Sequence, residues 1–553
     1  MKRLLFCAVG LIPIIAFGQA MLPMAIPPAL DTDTFFLDVG EHQHQFYPGV
    51  TTTTFGVNGP YLGPTLIMHQ GDSSWFRVTN NLPQVTNMHW HGMHVPGIVD
   101  GGPPREILTG ESWDLKYKVV NPAGTYWYHP HPHMITGTQA TMGIAGMIIV
   151  QDAEEAALDL PRTYGTDDFP VVVQDRRFLG NGNFSIGPYG DSVLVNGTPH
   201  AYLECPAQVV RLRILNGSNA RVYQLGFEDG RTFQVIAGDG GLLNAPVELD
   251  RISVSNGERW EVLLDLSGME GDSLMLKSFG SELPSTVPGG TNLIWESSAL
   301  NGIDFDVLRI RVTAPTADPV TSIPTSLGTA QPIPASQASQ TRIKNLMGNG
   351  MVGMGMFTIN GQMFNVDVVN DTVTLGATEI WTFQNFSNMA HPMHVHGTSF
   401  FVLDVDGQPP TPEQTGAKDV VLVDVGQSVR TIMQFNHTTE GWPYMYHCHN
   451  LMHEDNMMMQ QFIVVDPTLS VDALQDGLSI LAFPNPVTNT LNFRSSFPVR
   501  TVELRDNLGR IVHTGFGNYG QNGSIDLGGL PEGIYSLTLR NEEQVARTMV
   551  VHE

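Results

Sequence analysis

The sequence predicts an all-β chain: three similar β-barrel domains in succession, then a further strand-patterned segment. Three observations carry that prediction. Glycine (57) and proline (37) are plentiful while charged residues make up only 15%, a composition that suits many short strands joined by turns. A unit repeats three times. Val57-Asn58-Gly59, Val195-Asn196-Gly197 and Ile359-Asn360-Gly361 each open a strand-like run, and each run ends in a strand leading to Asn80, Asn216 or Asn385. At 553 residues, finally, the chain exceeds one ordinary domain, and its length suggests about three to four.

Taken in order, residues 1–20 read as an export signal. Lys2 and Arg3 precede an apolar run from Leu4 to Phe17, with small residues near Gly18 and Ala20 for cleavage. The run is shorter than the about 20 apolar residues that span a bilayer, and no other stretch approaches that length, so a soluble, exported chain without a membrane span is expected. Domain one covers residues 30–155 and domain two 165–315. A linker rich in Pro, Ser, Thr and Ala covers 316–340, domain three 341–466, and the last segment 476–553.

The formal charge of −26 opposes a nucleic-acid partner, since phosphates would be repelled. It reads as solubility in an extracellular setting. Of the three cysteines, Cys7 lies in the signal and Cys205 reads as a small buried hydrophobe, leaving Cys448 for chemistry and no pair for a disulfide.

That chemistry is densest in Tyr446-His447-Cys448-His449-Asn450-Leu451-Met452-His453, with Met458 five residues on. In an extended strand His447 and His449 point one way and Cys448 the other, so one strand can serve two metal centres back to back. Two imidazoles, a thiolate and a weak axial thioether form the ligand set of a blue-copper site. Cys448, His453 and Met458 supply three of these, and the remaining histidine must come from elsewhere. His89-Trp90-His91, His129-Pro130-His131 and His394-Val395-His396 repeat the spacing of His447 and His449, with His391 just ahead of the last. Eight paired imidazoles suit several copper ions better than one zinc. The pairs follow the repeat asparagine in copies one and three but not in copy two, which continues Gly217-Ser218-Asn219-Ala220-Arg221. The multinuclear site is therefore expected between domains one and three, with domain two as a spacer.

These four segments resemble the copper signatures of the multicopper oxidases, the family of laccases, bilirubin oxidases and bacterial copper-efflux oxidases. The resemblance runs from about residue 30 to 465. His89-Trp90-His91-Gly92 through Asp100-Gly101-Gly102, Trp127-Tyr128-His129-Pro130-His131 and His453-Glu454-Asp455 are especially like the efflux oxidases. It implies three cupredoxin-like Greek-key barrels and four copper ions: type 1 on His391, Cys448, His453 and Met458; type 2 on His89 and His394; and a type 3 pair on His91, His129, His131, His396, His447 and His449. His133 is given no copper and reads as a neighbouring or surface residue. Asp100 and Glu454 match positions proposed to deliver protons, with hydrogen bonding to ligand imidazoles as the alternative. The tail, with Phe483-Pro484-Asn485-Pro486, Gly509-Arg510 and Leu530-Pro531-Glu532-Gly533-Ile534-Tyr535, resembles the C-terminal sorting domain of the Bacteroidetes type IX secretion pathway, a small β-sandwich. It implies secretion or display at the outer membrane, with that machinery as partner.

The expected function is thus a copper-dependent oxidoreductase, acting as a monomer. It would couple four one-electron oxidations of phenolic or aromatic reductants, or of Cu(I), to reduction of dioxygen to two waters. The alternatives are a dedicated cuprous oxidase for copper detoxification, and a copper-storage or copper-delivery protein without turnover. Met347, Met351, Met354 and Met356 stand where efflux oxidases carry a long Met-rich insert over the type 1 site, and Met389 agrees with a cuprous-site residue of theirs. Ser387 replaces their aspartate, and the shortened segment leaves the type 1 edge open to bulky phenols.

Overall fold

The computed structural model describes residues 20–291, 297–348, 357–466, 480–507, 510–541 and 544–552. Residues 1–19 of the signal, Met351, Met354, Met356 and Gly509 lie outside the described residues. Strand accounts for 51% and helix for 6%, so the all-β expectation is borne out.

Two packed sheets build each of the three repeats. The first pairs a five-stranded sheet (29–31, 65–69, 146–151, 124–129, 89–91) with a four-stranded one (50–57, 34–47, 73–81, 112–118). The second has six and seven strands, and the third five and five. The alternation read from the histidine motifs decides what each barrel buries. Trp90 packs into the first core 4.5 Å from Phe76, with Tyr128 beside it, while His89, His91 and His129 turn outward. In the strand Tyr444–Cys448, Tyr446 and Cys448 enter the third core with Trp381 and Phe462. Each large apolar side chain so buried contributes about 1.5–3 kcal/mol.

The repeat asparagines share one device. Asn58, Asn196 and Asn360 adopt positive φ (55°, 49° and 54°) ahead of a glycine. Their side-chain oxygens accept from the backbone N–H groups of Asp38, Val172 and Asn345 at 2.7, 2.8 and 2.8 Å. Asn80, Asn216 and Asn385 then pin the turn after each strand. Each carboxamide donates to two backbone carbonyls, and each oxygen accepts from the N–H two residues on. In the first and third repeats this pinned turn leads into the histidines.

The repeats meet through apolar clusters, such as Trp127, Met147 and Ile149 against Val172 and Leu215, and through polar contacts sealed from water. Arg211 and Arg213 of the second pair with Glu261, and Glu261 accepts from Thr125 Oγ1 of the first at 2.7 Å. Asp455 of the third repeat caps the helix Thr136–Met142 of the first, accepting from the N–H groups of Thr136 and Gly137, both at 2.9 Å. The strands from Ile480 to His552 fold on a core of their own, built from Leu491, Phe493, Val502, Leu537 and Val550. Among the described residues no helix is long and apolar enough to cross a membrane.

Candidate metal centres

Pairing of strand His391–Val395 with strand Tyr444–Cys448 sets Met393 opposite Cys448 and His394 opposite His447. The two faces of this hairpin hold two distinct donor groups.

On the barrel-core face, Cys448 Sγ lies 3.3 Å from His453 Nδ1 and 3.4 Å from His391 Nδ1, and the two nitrogens are 3.1 Å apart. All three residues are buried. His453 sits on the short helix Leu451–Asp455, capped by the Asn450 side chain, and Phe357 stacks on its ring at 4.2 Å. The outer nitrogen of His391 hydrogen-bonds Ser387 Oγ at 2.7 Å. Met458 is fully buried in the same core; its N–H donates to His453 O, and its carbonyl accepts from Cys448 N–H. Burial pushes His391 down to about 3 and the Cys448 thiol well up. A cation among these donors inverts the second effect, because a coordinating thiol is deprotonated.

On the opposite face the eight paired histidines converge between the first and third repeats. Nδ1 of His91 lies 3.3 Å from Nε2 of His129 and 3.2 Å from Nε2 of His449. Nε2 of His447 lies 3.3 Å from Nε2 of both His131 and His396. His89 and His394 donate from Nδ1 to the carbonyls of Asp100 (2.9 Å) and Asp419 (2.8 Å), which leaves each Nε2 buried and unpartnered. Burial first, then the neighbouring imidazoles, holds His91, His129, His131, His394, His396 and His449 well below the usual histidine range. Neutral rings with inward lone pairs and no protein acceptor are what a metal requires, so the donor sets fit copper.

Two carboxylates face the outer nitrogens. Asp100 Oδ2 accepts from His396 Nδ1 at 2.8 Å and lies 3.5 Å from His89 Nδ1; its Oδ1 is buried without a partner. Glu454 lies 3.1 Å from His131 Nδ1 and 3.2 Å from His447 Nδ1, so its carboxylate spans two rings of one group. Among the described residues His133 joins no donor group; it packs against Phe364.

Sequence reasoning missed Asp419 and Arg259. Asp419 Oδ1 lies 3.1 Å from His91 Nε2, and Arg259 of the second repeat holds both oxygens of that carboxylate at 2.6 Å. The available signal was a Lys418-Asp419 pair heading the wholly apolar run Val420-Val421-Leu422-Val423, because a charge at the head of a buried strand needs a partner. Met389 is fully buried in the third core, so its thioether is not offered to solvent, whereas Phe386, three residues earlier in the chain, is 66% exposed.

Models described as multicopper oxidase match residues 38–155, 164–295 and 333–468. A curated relative, the multicopper oxidase mco of Staphylococcus epidermidis, is 34% identical over 450 residues, covering 78% of this chain and 88% of the relative. The chain belongs to the multicopper oxidase family. This makes it a copper-dependent oxidoreductase, with dioxygen and a reductant as the substrates that membership implies. The cell division protein FtsP of Escherichia coli is also 34% identical, over 459 residues that cover 81% of this chain and 94% of that protein. Among solved structures, a laccase-like CueO from Ochrobactrum sp. is similar at 33% identity and a TM-score of 0.73, covering 80% of this chain and all of that one. The McoA oxidase of Aquifex aeolicus is similar at 31% and 0.72, covering 80% and 99%. Residues 481–552 match a secretion-system C-terminal sorting domain, which points to export.

Proposed function

We propose that this multicopper oxidase binds four copper ions and oxidises phenolic or aromatic reductants one electron at a time, reducing dioxygen to two waters. Type 1 copper would be held by His391, Cys448, His453 and Met458, type 2 by His89 and His394, and the type 3 pair by His91, His129 and His449 with His131, His396 and His447. Copper supplies the one-electron redox chemistry and the dioxygen chemistry. The carrying observation is the alternation along Tyr444–Cys448: Cys448 belongs to one donor group while its neighbours His447 and His449 belong to the other. That makes the peptide a covalent link between the two groups.

The protein's own part is to position, seal and supply protons. Asp100 fixes the ring orientation of His396 through a hydrogen bond to Nδ1, and Glu454 sets a carboxylate beside Nδ1 of His131 and of His447. The free Oδ1 of Asp100 can accept and pass on a proton beside His89, which is the relay role assigned to it; Glu454, with an oxygen on each of two rings, is assigned support.

Three points support a phenolic reductant over Cu(I). Met389 is sequestered in the core, Ser387 is engaged with His391, and the similar Ochrobactrum oxidase is described as active towards lignin model compounds and lignosulfonate. A dedicated cuprous oxidase is the second reading, favoured by the methionines between 347 and 356. Turnover of a bulky phenol and of Cu(I), measured with and without residues 346–356, separates them: phenol turnover that exceeds cuprous turnover in the intact protein and survives the deletion supports the phenolic role, whereas dominant cuprous turnover lost on deletion supports the second reading. A copper-storage protein would show no oxygen uptake with either. Cleavage of the export signal, and secretion or surface display through the type IX machinery, complete the proposal.

A further inference from the structure

Each imidazole of the eight-histidine group is presented by one nitrogen and anchored or spare at the other. Seven present Nε2. His91 alone presents Nδ1, and its outward Nε2 is taken by Asp419. The groups beside the outer nitrogens of His89, His129, His131, His394, His396 and His447 come from the first and third repeats. The Asp419 carboxylate is different because, unlike the carbonyl with which the same residue anchors His394, it is held from the second repeat. Arg259 takes both carboxylate oxygens at 2.6 Å and donates through Nε to the carbonyl of Thr125 in the first repeat at 3.0 Å. Every partner in this chain is fully buried.

We propose that the Arg259–Asp419 pair is a positioning device that sets the reversed orientation of His91. The second repeat thereby takes part in building the His91, His129 and His449 group rather than serving as a passive spacer. The inference rests on the copper reading above and adds to it a role for residues that bind no metal. A bidentate guanidinium–carboxylate pair fixes the plane of the carboxylate, which a single ammonium does not. The plane of Asp419 in turn fixes which ring nitrogen of His91 faces outward. The backbone is cut to fit the device. A Cβ on Gly92, the residue after His91, would lie 2.5 Å from Asp419 Oδ2 and 2.7 Å from Arg259 Nη2, at a φ of +83°. One on Gly257, two residues before Arg259, would lie 3.0–3.1 Å from three atoms of the His449 ring.

The test uses the copper-loaded full-length protein in two variants. Asp419→Asn keeps the shape and breaks the bidentate pair; Arg259→Lys keeps both charges and loses the fork. Both are expected to retain the intense blue absorption of the type 1 site. Both should lose the near-ultraviolet shoulder of the coupled copper pair and show more EPR-detectable copper per chain than wild type. A wild-type shoulder and spin count in Arg259→Lys overturns the proposal, since the pair then only balances charge. Loss of blue band and shoulder together in Arg259→Lys also overturns it, because the pair then holds the whole fold. If Asp419→Asn fails to fold, Arg259→Lys decides alone. The functional reading fails separately, by absence of the blue band in wild type.

Discussion

The donor group around Cys448 and the eight-histidine group lie on opposite faces of one strand, yet they are assembled differently. His391, Cys448, His453 and Met458 all come from a single barrel within 75 residues of chain, and their supports, Ser387 and Phe357, come from the same barrel. The eight histidines come from two barrels that share no sheet, and the pair that anchors His91 reaches into a third. A locally built site needs only one barrel to fold. The other needs three barrels docked to within the tolerance of a hydrogen bond, which gives buried ion pairs a part there beside the apolar clusters that join the repeats: ion pairs fix direction as well as proximity.

Cutting the link between the two groups gives the largest expected effect. Cys448→Ser removes the thiolate and leaves all eight histidines in place, so the blue band should vanish while the copper-pair shoulder persists. Steady-state oxygen consumption with an outer-sphere reductant should fall by about 10²-fold or more, the scale expected when an essential group is lost. Undiminished respiration in the copper-loaded variant would mean the strand is not the conduit. Next come the carboxylates that face the rings. Asp100→Asn and Glu454→Gln should each cost about 10–100-fold in copper affinity or turnover. They should differ in kind: Asp100→Asn should slow turnover with copper content near wild type, whereas Glu454→Gln, with an oxygen on each of two rings, should lower copper content measured after dialysis.

Much of this was legible in the sequence, for reasons that differ by residue. The histidine motifs are local: spacing of two on a strand is sufficient to put His89 and His91 on one face, with Trp90 on the other. The three Asn-Gly turns were visible as a repeat because each asparagine satisfies its own backbone neighbourhood within about twenty residues. Asp419 and Arg259 were not visible. They stand 160 residues apart and meet only once three barrels are docked, and neither lies in a spacing that chemistry prescribes. Met389 is a different case: its position matches a pattern for cuprous binding, and the structure buries it in the third core just ahead of the strand that carries His391.

Docking itself can be probed through Glu261. It joins Arg211 and Arg213 with Thr125 across the first two repeats, and these guanidinium groups lower it from 4.5 to about 2 despite the opposing effect of burial. A carboxyl depressed on folding contributes stability that is fully present above its unfolded value, about 4.5, and is lost as pH falls towards about 2. Glu261→Gln leaves two buried guanidinium groups undercompensated and should cost about 3–5 kcal/mol near neutral pH. In denaturant melts of the metal-free proteins, the gap between wild type and variant should narrow steadily from pH 4.5 downwards, because wild type then carries a neutral side chain too. A gap constant with pH would show that Glu261 acts by shape alone.

The smallest expected effect tests how self-contained the Cys448 group is. Met458→Leu preserves volume in a fully buried position, so the packing cost should stay below about 1.5 kcal/mol. What changes is the axial donor. A thioether, though weak, stabilises the oxidised metal, and a branched alkyl chain offers it nothing, so the potential of the blue site should rise. Oxidation of phenols that are hard to oxidise should quicken, since each electron then enters with more driving force. Onward transfer to the eight-histidine group loses that same driving force, so easily oxidised donors should turn over more slowly. Opposite changes in rate for the two donor classes, with an unaltered copper-pair shoulder, would show the blue site tuned without disturbing the cluster. A shift in that shoulder would mean that the barrel core transmits the substitution across the strand, and that the two groups are less separately built than their ligand origins suggest.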